Sequence, residues 1–225
     1  MTIHLKNDLP ELTTFHWHGL NVPGPYVDGG CHAPVYPGEI KDIHFTVKQP
    51  AATLWLHAHP CPETAVQVYH GLAAMVLVKD AQEDKLPLPR NYGVDDIPVI
   101  LQDRHFNQDN QWDYQADYDA DGVQGPTAVI NGTVNPYFDV TTTRVRLRIL
   151  DGANRREWRP HPGGNHEFAP VASDGGSLPS PVYPTHFMLT CVDRAEIVVH
   201  FSPYSVGDTV ARYADHVPLL TFRIK

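Results

Sequence analysis

Alternation of apolar and polar residues with a period of two recurs along the chain and predicts short β-strands. In residues 40–47, Ile43 and Phe45 would lie on one face of such a strand. Asp42 and His44 would lie on the other face, because successive side chains of a strand point to opposite sides. Strands are also predicted in the apolar stretches 53–59 and 72–78, and in four later stretches: 97–102, 145–150, 195–201 and 219–224. Few windows show the 3.6-residue period of a helix, so an all-β sandwich is predicted rather than a parallel sheet with crossover helices.

A polar stretch at residues 79–96 separates two regions that are rich in predicted strands. Its sequence is KDAQEDKLPLPRNYGVDD, which contains several charges and a Pro-x-Pro segment, as interdomain linkers often do. A chain of 225 residues is long enough for two ordinary domains. We therefore predict one unit at residues 1–80, a linker at 81–94 and a second unit at 95–225.

Composition and charge narrow the classes of function. Hydrophobic residues make up 42% of the chain and charged residues 19%, which is a normal balance for a folded protein. The formal net charge of −9 disfavours nucleic acid and anionic membranes as partners, since both attract Lys and Arg. No apolar run approaches the length of a membrane-spanning helix.

The N-terminal segment lacks the basic start and apolar stretch of a signal peptide. A cytoplasmic location is therefore slightly favoured, and a cell-envelope or secreted location stays open if the N-terminus is truncated. The three cysteines, Cys31, Cys61 and Cys191, cannot all pair with one another, so the chain is not a disulfide scaffold and a reducing compartment is mildly favoured.

Histidine is unusually frequent, with 14 residues, and four of them form two His-x-His pairs. His16 and His18 are one pair, and His57 and His59 are the other. Residues i and i+2 of a strand share a face, and neighbouring strands lie about 4.8 Å apart, so four imidazoles can converge on one small volume. Neutral imidazoles bind copper, zinc, iron or nickel.

The competing interpretation is that these are surface histidines of a histidine-rich protein. The histidine content alone produces roughly one His-x-His by chance, so the bare pattern is weak evidence. Both pairs are flanked by tryptophan (Trp17 and Trp55) and by apolar residues. Buried neighbouring imidazoles that bind nothing would leave polar groups without partners, which favours a metal site.

Long ordered motifs around these pairs resemble the first domain of multicopper oxidases, the family that includes laccases, bilirubin oxidases and bacterial copper oxidases. The motifs are FHWHGLNVPGPYVDGG, PGE, QPAATLWLHAHP and YHGLAAMVLVKD, in that order. In the second half, the resemblance continues through residues 95–103, Asn131-Gly132, Arg146-Leu147-Arg148, 172–176 and 193–196, and it covers nearly the whole chain.

The resemblance implies two cupredoxin-like Greek-key β-sandwich domains, the first incomplete at its N-terminus because only 15 residues precede the first pair. It implies that His16 binds a type 2 copper and that His18, His57 and His59 bind a type 3 copper pair. The family reaction is one-electron oxidation of phenols, aromatic amines or metal ions at a type 1 copper. The electrons pass to the trinuclear cluster, where dioxygen becomes water.

The chain departs from the family in lacking the remaining ligands. Neither an H-x-x-H-x-H motif nor an H-C-H segment is present, and no cysteine has histidines on both sides. A type 1 copper needs a thiolate, two imidazoles and usually a weak axial ligand, and the sequence does not supply that set. We therefore expect half of the cluster ligands here, the other half in a missing C-terminal cupredoxin domain, and no activity from this chain alone.

Other residues carry open alternatives. Cys61 is either an extra soft ligand or an inert thiol, and Cys31-His32 has the same two interpretations. Asp28 either orients a metal-bound group or forms an Asp-Gly turn. Trp17 and Trp55 are interpreted as packing residues rather than electron carriers. In the segment WRPHPGGNHEF at 158–168, His161 and His166 are expected in a loop where the family has a strand.

Two further functions compete with the oxidase. A non-catalytic copper-binding or assembly module with a cupredoxin fold would explain the absent type 1 ligands. A metallohydrolase using His-x-His is disfavoured, since the sequence has neither an H-x-H-x-D-H motif nor alternating strands and helices.

Overall fold

The structure, a computed structural model, describes residues 1–161, 168–184 and 187–225. The described residues form fourteen β-strands, one short α-helix and one turn of 3-10 helix, which confirms the all-β prediction. Helix α1 (Thr64–Tyr69) follows the fourth strand, and the 3-10 turn spans Glu83–Lys85. The strands before residue 80 are β1 (Thr2–Lys6), β2 (His16–His18), β3 (Ile40–His44), β4 (Ala52–His57) and β5 (Ala73–Val78).

Nine described strands follow the 3-10 turn. They are β6 (Asp96–Arg104), β7 (Thr127–Ile130), β8 (Tyr137–Val140), β9 (Arg144–Asp151), β10 (Phe168–Ser173), β11 (Gly176–Ser177), β12 (Arg194–His200), β13 (Thr209–Ala214) and β14 (Val217–Ile224). Each of the seven predicted stretches overlaps one of the fourteen strands. β4 ends at His57, two residues earlier than predicted.

The described strands form four sheets, two in each half of the chain. In the first half, β1 pairs with β3, and β4 lies between β2 and β5. In the second half, one sheet has the order β11-β10-β12-β9-β6-β7 and the other has the order β13-β14-β8. Among the pairs of described strands, only β6–β9 and β8–β14 are parallel, and the segment between β6 and β9 contains no helix.

The two largest apolar cores of the described residues lie between these sheets. The first contains Trp17 and Leu54, and the second contains Leu147, Ile149 and Phe222. The apolar residues of β9 alternate with arginines, so one face of this strand lies in the second core. The arginine face is buried as well, which a simple amphipathic strand would not require.

The buried arginines of β9 belong to a set of paired charges that we call the charged network: Arg146, Arg148, Glu83, Asp96 and Glu196. Arg148 donates from Nε to Asp96 Oδ1 at 2.7 Å and from Nη1 to Glu196 Oε1 at 2.9 Å. Arg146 donates from Nη2 to Glu83 Oε1 at 2.5 Å. Charges this deeply buried are tolerated because each has an opposite partner.

The charged network also joins the two halves of the chain. Thr53 on β4 donates its hydroxyl proton to Glu196 Oε1 on β12 at 2.6 Å. Glu83 comes from the predicted linker. Burial acts to raise the pKa of Glu83, but the hydrogen bonds and positive charges of Arg146 and Arg148 outweigh burial and lower that pKa. Contacts from both halves therefore hold β4 against the second half of the chain.

The predicted domain boundaries fall in a region without strand pairing. No pairing between described strands crosses residues 79–95, and the units 1–80, 81–94 and 95–225 remain a prediction. At the start of segment 158–168, Trp158 is buried and its backbone N–H donates to Leu189 O at 2.9 Å. His161 donates its backbone N–H to Tyr213 O at 3.0 Å, and His166 lies outside the described residues.

Within the described ranges, no helix has the length and apolar character that crossing a membrane requires.

Candidate metal centre

Strands β2 and β4 place both His-x-His pairs beside each other. The two strands are antiparallel, with His16 opposite His57 and His18 opposite Trp55. Alternation turns Trp17 to the other side of β2, where its ring packs against Phe45 at 5.5 Å between centroids. One face of the pair of strands therefore carries imidazoles, and the other is part of the apolar core.

The four imidazoles lie side by side, and we call His16, His18, His57 and His59 the histidine cluster. A ring nitrogen from each of the first three lies within 4.8 Å of the others. Ring centroids of His16 lie 5.5 Å from His18, 5.1 Å from His57 and 5.3 Å from His59. The structure thus brings together all four residues that the sequence singles out, and their role as ligands remains a prediction.

The loop before β3 orients His16. The Nδ1 atom of His16 lies 3.1 Å from Asp28 O and 3.2 Å from Asp28 Oδ2. Both oxygens only accept hydrogen bonds, so Nδ1 carries the proton and the lone pair of Nε2 is left for a metal. Gly29 permits this approach: its φ is +76°, and an added Cβ would lie 1.8 Å from Phe15 O.

His57 has an equivalent arrangement. Its Nδ1 lies 2.8 Å from the carbonyl oxygen of Ala58, which fixes the proton there, and its Nε2 lies 3.3 Å from Nδ1 of His18. Trp55 stacks on the His57 ring with 4.0 Å between centroids and 26° between planes. Trp55 is itself buried, as expected of a packing residue.

His59 lies just beyond the end of β4 and is held by different contacts. Its backbone N–H donates to Thr14 Oγ1 at 2.7 Å. Its Nδ1 lies 3.3 Å from the hydroxyl of Thr64, which donates its own proton to Pro60 O at 3.0 Å. The sequence pattern does not reveal Thr14 and Thr64 as supports, because they lie 45 and 5 residues from His59 and belong to no recognisable motif.

Electrostatics keep two of these rings neutral. Burial lowers the pKa of His18 to about 4, and the positive charge of Arg194 acts in the same direction. Burial lowers the pKa of His57 to about 3, although the hydrogen bond to the Ala58 carbonyl opposes this shift. Both imidazoles are therefore unprotonated at neutral pH, which is the state that binds metal ions.

The histidine cluster lines one wall of a cleft of about 770 Å³. The lining also includes Tyr114, Tyr118, Asp119 and Asn154 from the second half of the chain. The cleft is much larger than a metal ion, so it has room for further groups above the imidazoles.

The structure pairs Cys31 with Cys61 in a disulfide, with 5.6 Å between the Cα atoms. In this disulfide-bonded form, the interpretation of each cysteine as a separate free thiol, whether ligand or inert, is wrong. A cysteine sulfur in a disulfide offers no thiolate to a metal. Sequence reasoning does not find this pair because 30 residues separate the two cysteines. Cys191 is free, and burial raises the pKa of its thiol to about 12.

Comparison with known proteins identifies the family. The sequence model of a family described as multicopper oxidase matches residues 1–83. The chain is 42% identical over 200 residues to multicopper oxidase mco of Staphylococcus haemolyticus, an alignment that covers 89% of this chain and 44% of that protein. The chain belongs to the multicopper oxidase family. Membership implies copper as the metal.

Solved structures of this family share the fold. The crystal structure of a laccase from Pediococcus acidilactici Pa5930 matches with a TM-score of 0.94 and 55% identity, covering 99% of this chain and 48% of that one. This likeness confirms the predicted cupredoxin-like β-sandwiches. The chain is also 35% identical to cell division protein FtsP of Escherichia coli over 98% of this chain and 46% of that protein. This chain spans about half the length of the proteins it matches.

Proposed function

We propose that this chain supplies half of the ligands of a trinuclear copper cluster in a laccase-like multicopper oxidase. His16 binds the type 2 copper, and His18, His57 and His59 bind the type 3 pair. The observation that carries the proposal is the convergence of all four imidazoles on one wall of a cleft.

The donor set fits copper. Hydrogen bonds to carbonyl oxygens place the Nδ1 protons of His16 and His57, which leaves Nε2 of each ring as a donor. All-imidazole sites are well suited to copper, and the low pKa values of His18 and His57 remove competition from protons at neutral pH.

Copper, when bound, would supply the one-electron chemistry by which four electrons from a reductant, with four protons from solvent, convert dioxygen to two waters. The residues of this chain hold and orient that group. Asp28 fixes the ring of His16 through its carboxylate and carbonyl oxygens. Trp55 covers one side of the His57 ring and keeps water from it.

The remaining parts of the enzyme are proposed to come from a C-terminal cupredoxin domain seated over the cleft. That domain would bring the other cluster ligands and the type 1 copper, where phenols, aromatic amines or metal ions are oxidised. The size of the cleft above the imidazoles and the missing H-C-H segment support this arrangement. The isolated chain is then expected to bind copper without turning over dioxygen.

A copper titration tests the proposal. Cu(II) added to the chain should give an electron paramagnetic resonance spectrum with nitrogen couplings, and His18→Ala should weaken binding at least about tenfold. His44→Ala, which removes an exposed histidine on β3, should leave binding unchanged. Equal binding in all three chains would overturn the proposed ligands. Oxygen uptake with a phenol above the free-copper background, abolished by His18→Ala, would show instead that the chain is a complete oxidase.

A second candidate is a non-catalytic module with a cupredoxin fold, serving in copper binding or assembly. The identity with cell division protein FtsP favours this candidate. The coding sequence beyond Lys225 separates the two: continuation into an H-C-H segment supports the oxidase, and continuation without any type 1 ligands supports the module.

A further inference from the structure

A second group of soft ligands borders the histidine cluster. Cys31 and Cys61 come from the loops that follow β2 and β4, and the ligand atoms of Cys31, His59 and Cys61 all lie within 4.8 Å of one another. Thirty residues separate the two cysteines, so the fold rather than sequence proximity brings them together.

His59 stands between the sulfur atoms and the other imidazoles. Its Nδ1 lies 3.6 Å from Cys31 Sγ, while its ring centroid lies 5.3 Å from that of His16 and 5.5 Å from that of His57. A neutral imidazole has one ring nitrogen with a lone pair in the plane of the ring, and the other nitrogen carries the proton. His59 can therefore bind a metal next to the sulfur atoms through Nδ1, or a metal in the histidine cluster through Nε2.

The sulfur atoms are accessible to a reductant. Cys61 is exposed, and Cys31 and His59 are half-buried. Cys191 lies outside this group, with its Sγ 3.7 Å from Arg156 O, and therefore provides a matched control thiol.

We propose that, once the disulfide is reduced, Cys31, Cys61 and His59 bind one Cu(I) ion and form an entry site for copper beside the histidine cluster. A dithiol reductant supplies two electrons and two protons; its own sulfurs form a disulfide while the Cys31–Cys61 bond breaks. Binding of Cu(I) releases the thiol protons, because the thiolate is the ligand. Thiolates with imidazole favour monovalent copper over the harder divalent ion.

This inference goes beyond the proposed function and can fail separately from it. The entry site depends on the two sulfur atoms, which no ligand assignment of the trinuclear cluster includes. Of the histidine cluster, it requires His59 alone.

An anaerobic titration against a chromophoric Cu(I) chelator tests the entry site. The full chain is compared in its disulfide form and after treatment with dithiothreitol followed by removal of that reagent. The reduced chain should retain one more equivalent of Cu(I) than the disulfide form, and X-ray absorption at the copper edge should show sulfur neighbours. Cys31→Ser with Cys61→Ser should lose the extra equivalent, whereas Cys191→Ser should keep it.

Two further samples, one chemically modified and one variant, separate the possible outcomes. Reduced wild-type chain alkylated with iodoacetamide should lose the extra equivalent, even if the double serine variant does not fold. His18→Ala should keep the extra Cu(I) while its Cu(II) binding falls, which separates failure of the entry site from failure of the trinuclear cluster. Equal Cu(I) uptake in the reduced and disulfide forms, or bound copper without sulfur neighbours, would overturn the proposal.

Discussion

Strand β4 contributes to two polar clusters of opposite character. Near its start, Thr53 bonds to Glu196 of the charged network, and at its end His57 belongs to the histidine cluster. The charged network contains ionised groups, each facing an opposite charge. In the histidine cluster, four imidazoles lie side by side at a cleft, and burial keeps His18 and His57 neutral.

The difference lies in whether hydrogen-bonding capacity is used. Arg148 makes five hydrogen bonds, to Asp96, Glu196, Glu83 and Thr53. In the histidine cluster, one nitrogen of His16 and one of His57 are committed to carbonyl oxygens, and the other of each faces the cluster. A buried cluster whose charges are all paired indicates a structural role. A cluster whose imidazole nitrogens are oriented, with lone pairs left for a metal, indicates a binding role.

Removal of one partner should break the charged network. In Arg148→Ala, the carboxylate of Asp96 stays buried without its cation, and Glu196 keeps only its pairing with Arg146. We expect the free energy of unfolding to fall by about 3–5 kcal/mol. Denaturant unfolding measures this, with Arg144→Ala on the exposed start of β9 as the control, expected within about 0.5 kcal/mol of wild type. A loss below about 1 kcal/mol would contradict a structural role for these charges.

The burial of His57 in the histidine cluster should make the free energy of unfolding depend on pH. The pKa of His57 falls from 6.5 in the unfolded chain to about 3 in the folded chain. Between these values the unfolded state binds a proton that the folded state does not, so stability is full above pH 6.5 and is lost as pH falls. We expect His57→Asn to remove a slope of about 1.4 kcal/mol per pH unit from metal-free chain.

The matched control for that slope is His44→Asn, since His44 is exposed on β3. Its unfolding curves should follow wild type at each pH. An unchanged slope in His57→Asn would mean that His57 is protonated in the folded chain, and the description of this ring as neutral would then be wrong.

Local pattern is enough to predict much of this molecule. Alternation marks β3, β6 and β9 because their apolar residues face a core. The His-x-His spacing predicts shared faces, because two residues advance a strand by one full period. Both features depend only on neighbours in sequence.

Contacts between distant residues are what the pattern leaves out. Alternation in β9 marks the face of Arg146 and Arg148 as polar, but the contact that buries it involves Thr53, which is 95 residues from Arg148. The Cys31–Cys61 disulfide has the same origin, since two loops meet only after β2 has paired with β4. Long-range pairing of this kind depends on the complete fold.

The smallest expected effect is on stability when one imidazole of the histidine cluster is removed at neutral pH. His18 contributes one contact to His57, at 3.3 Å, and it lines the cleft, so its loss admits water rather than leaving a closed cavity. We expect His18→Ala to change the free energy of unfolding of metal-free chain by less than about 1 kcal/mol. Trp17→Ala, one residue away on the opposite face of β2, removes a core ring and should cost about 3–5 kcal/mol. If His18→Ala destabilised the chain as much as Trp17→Ala, the imidazole would be a structural core residue, and the contrast between the two polar clusters would disappear.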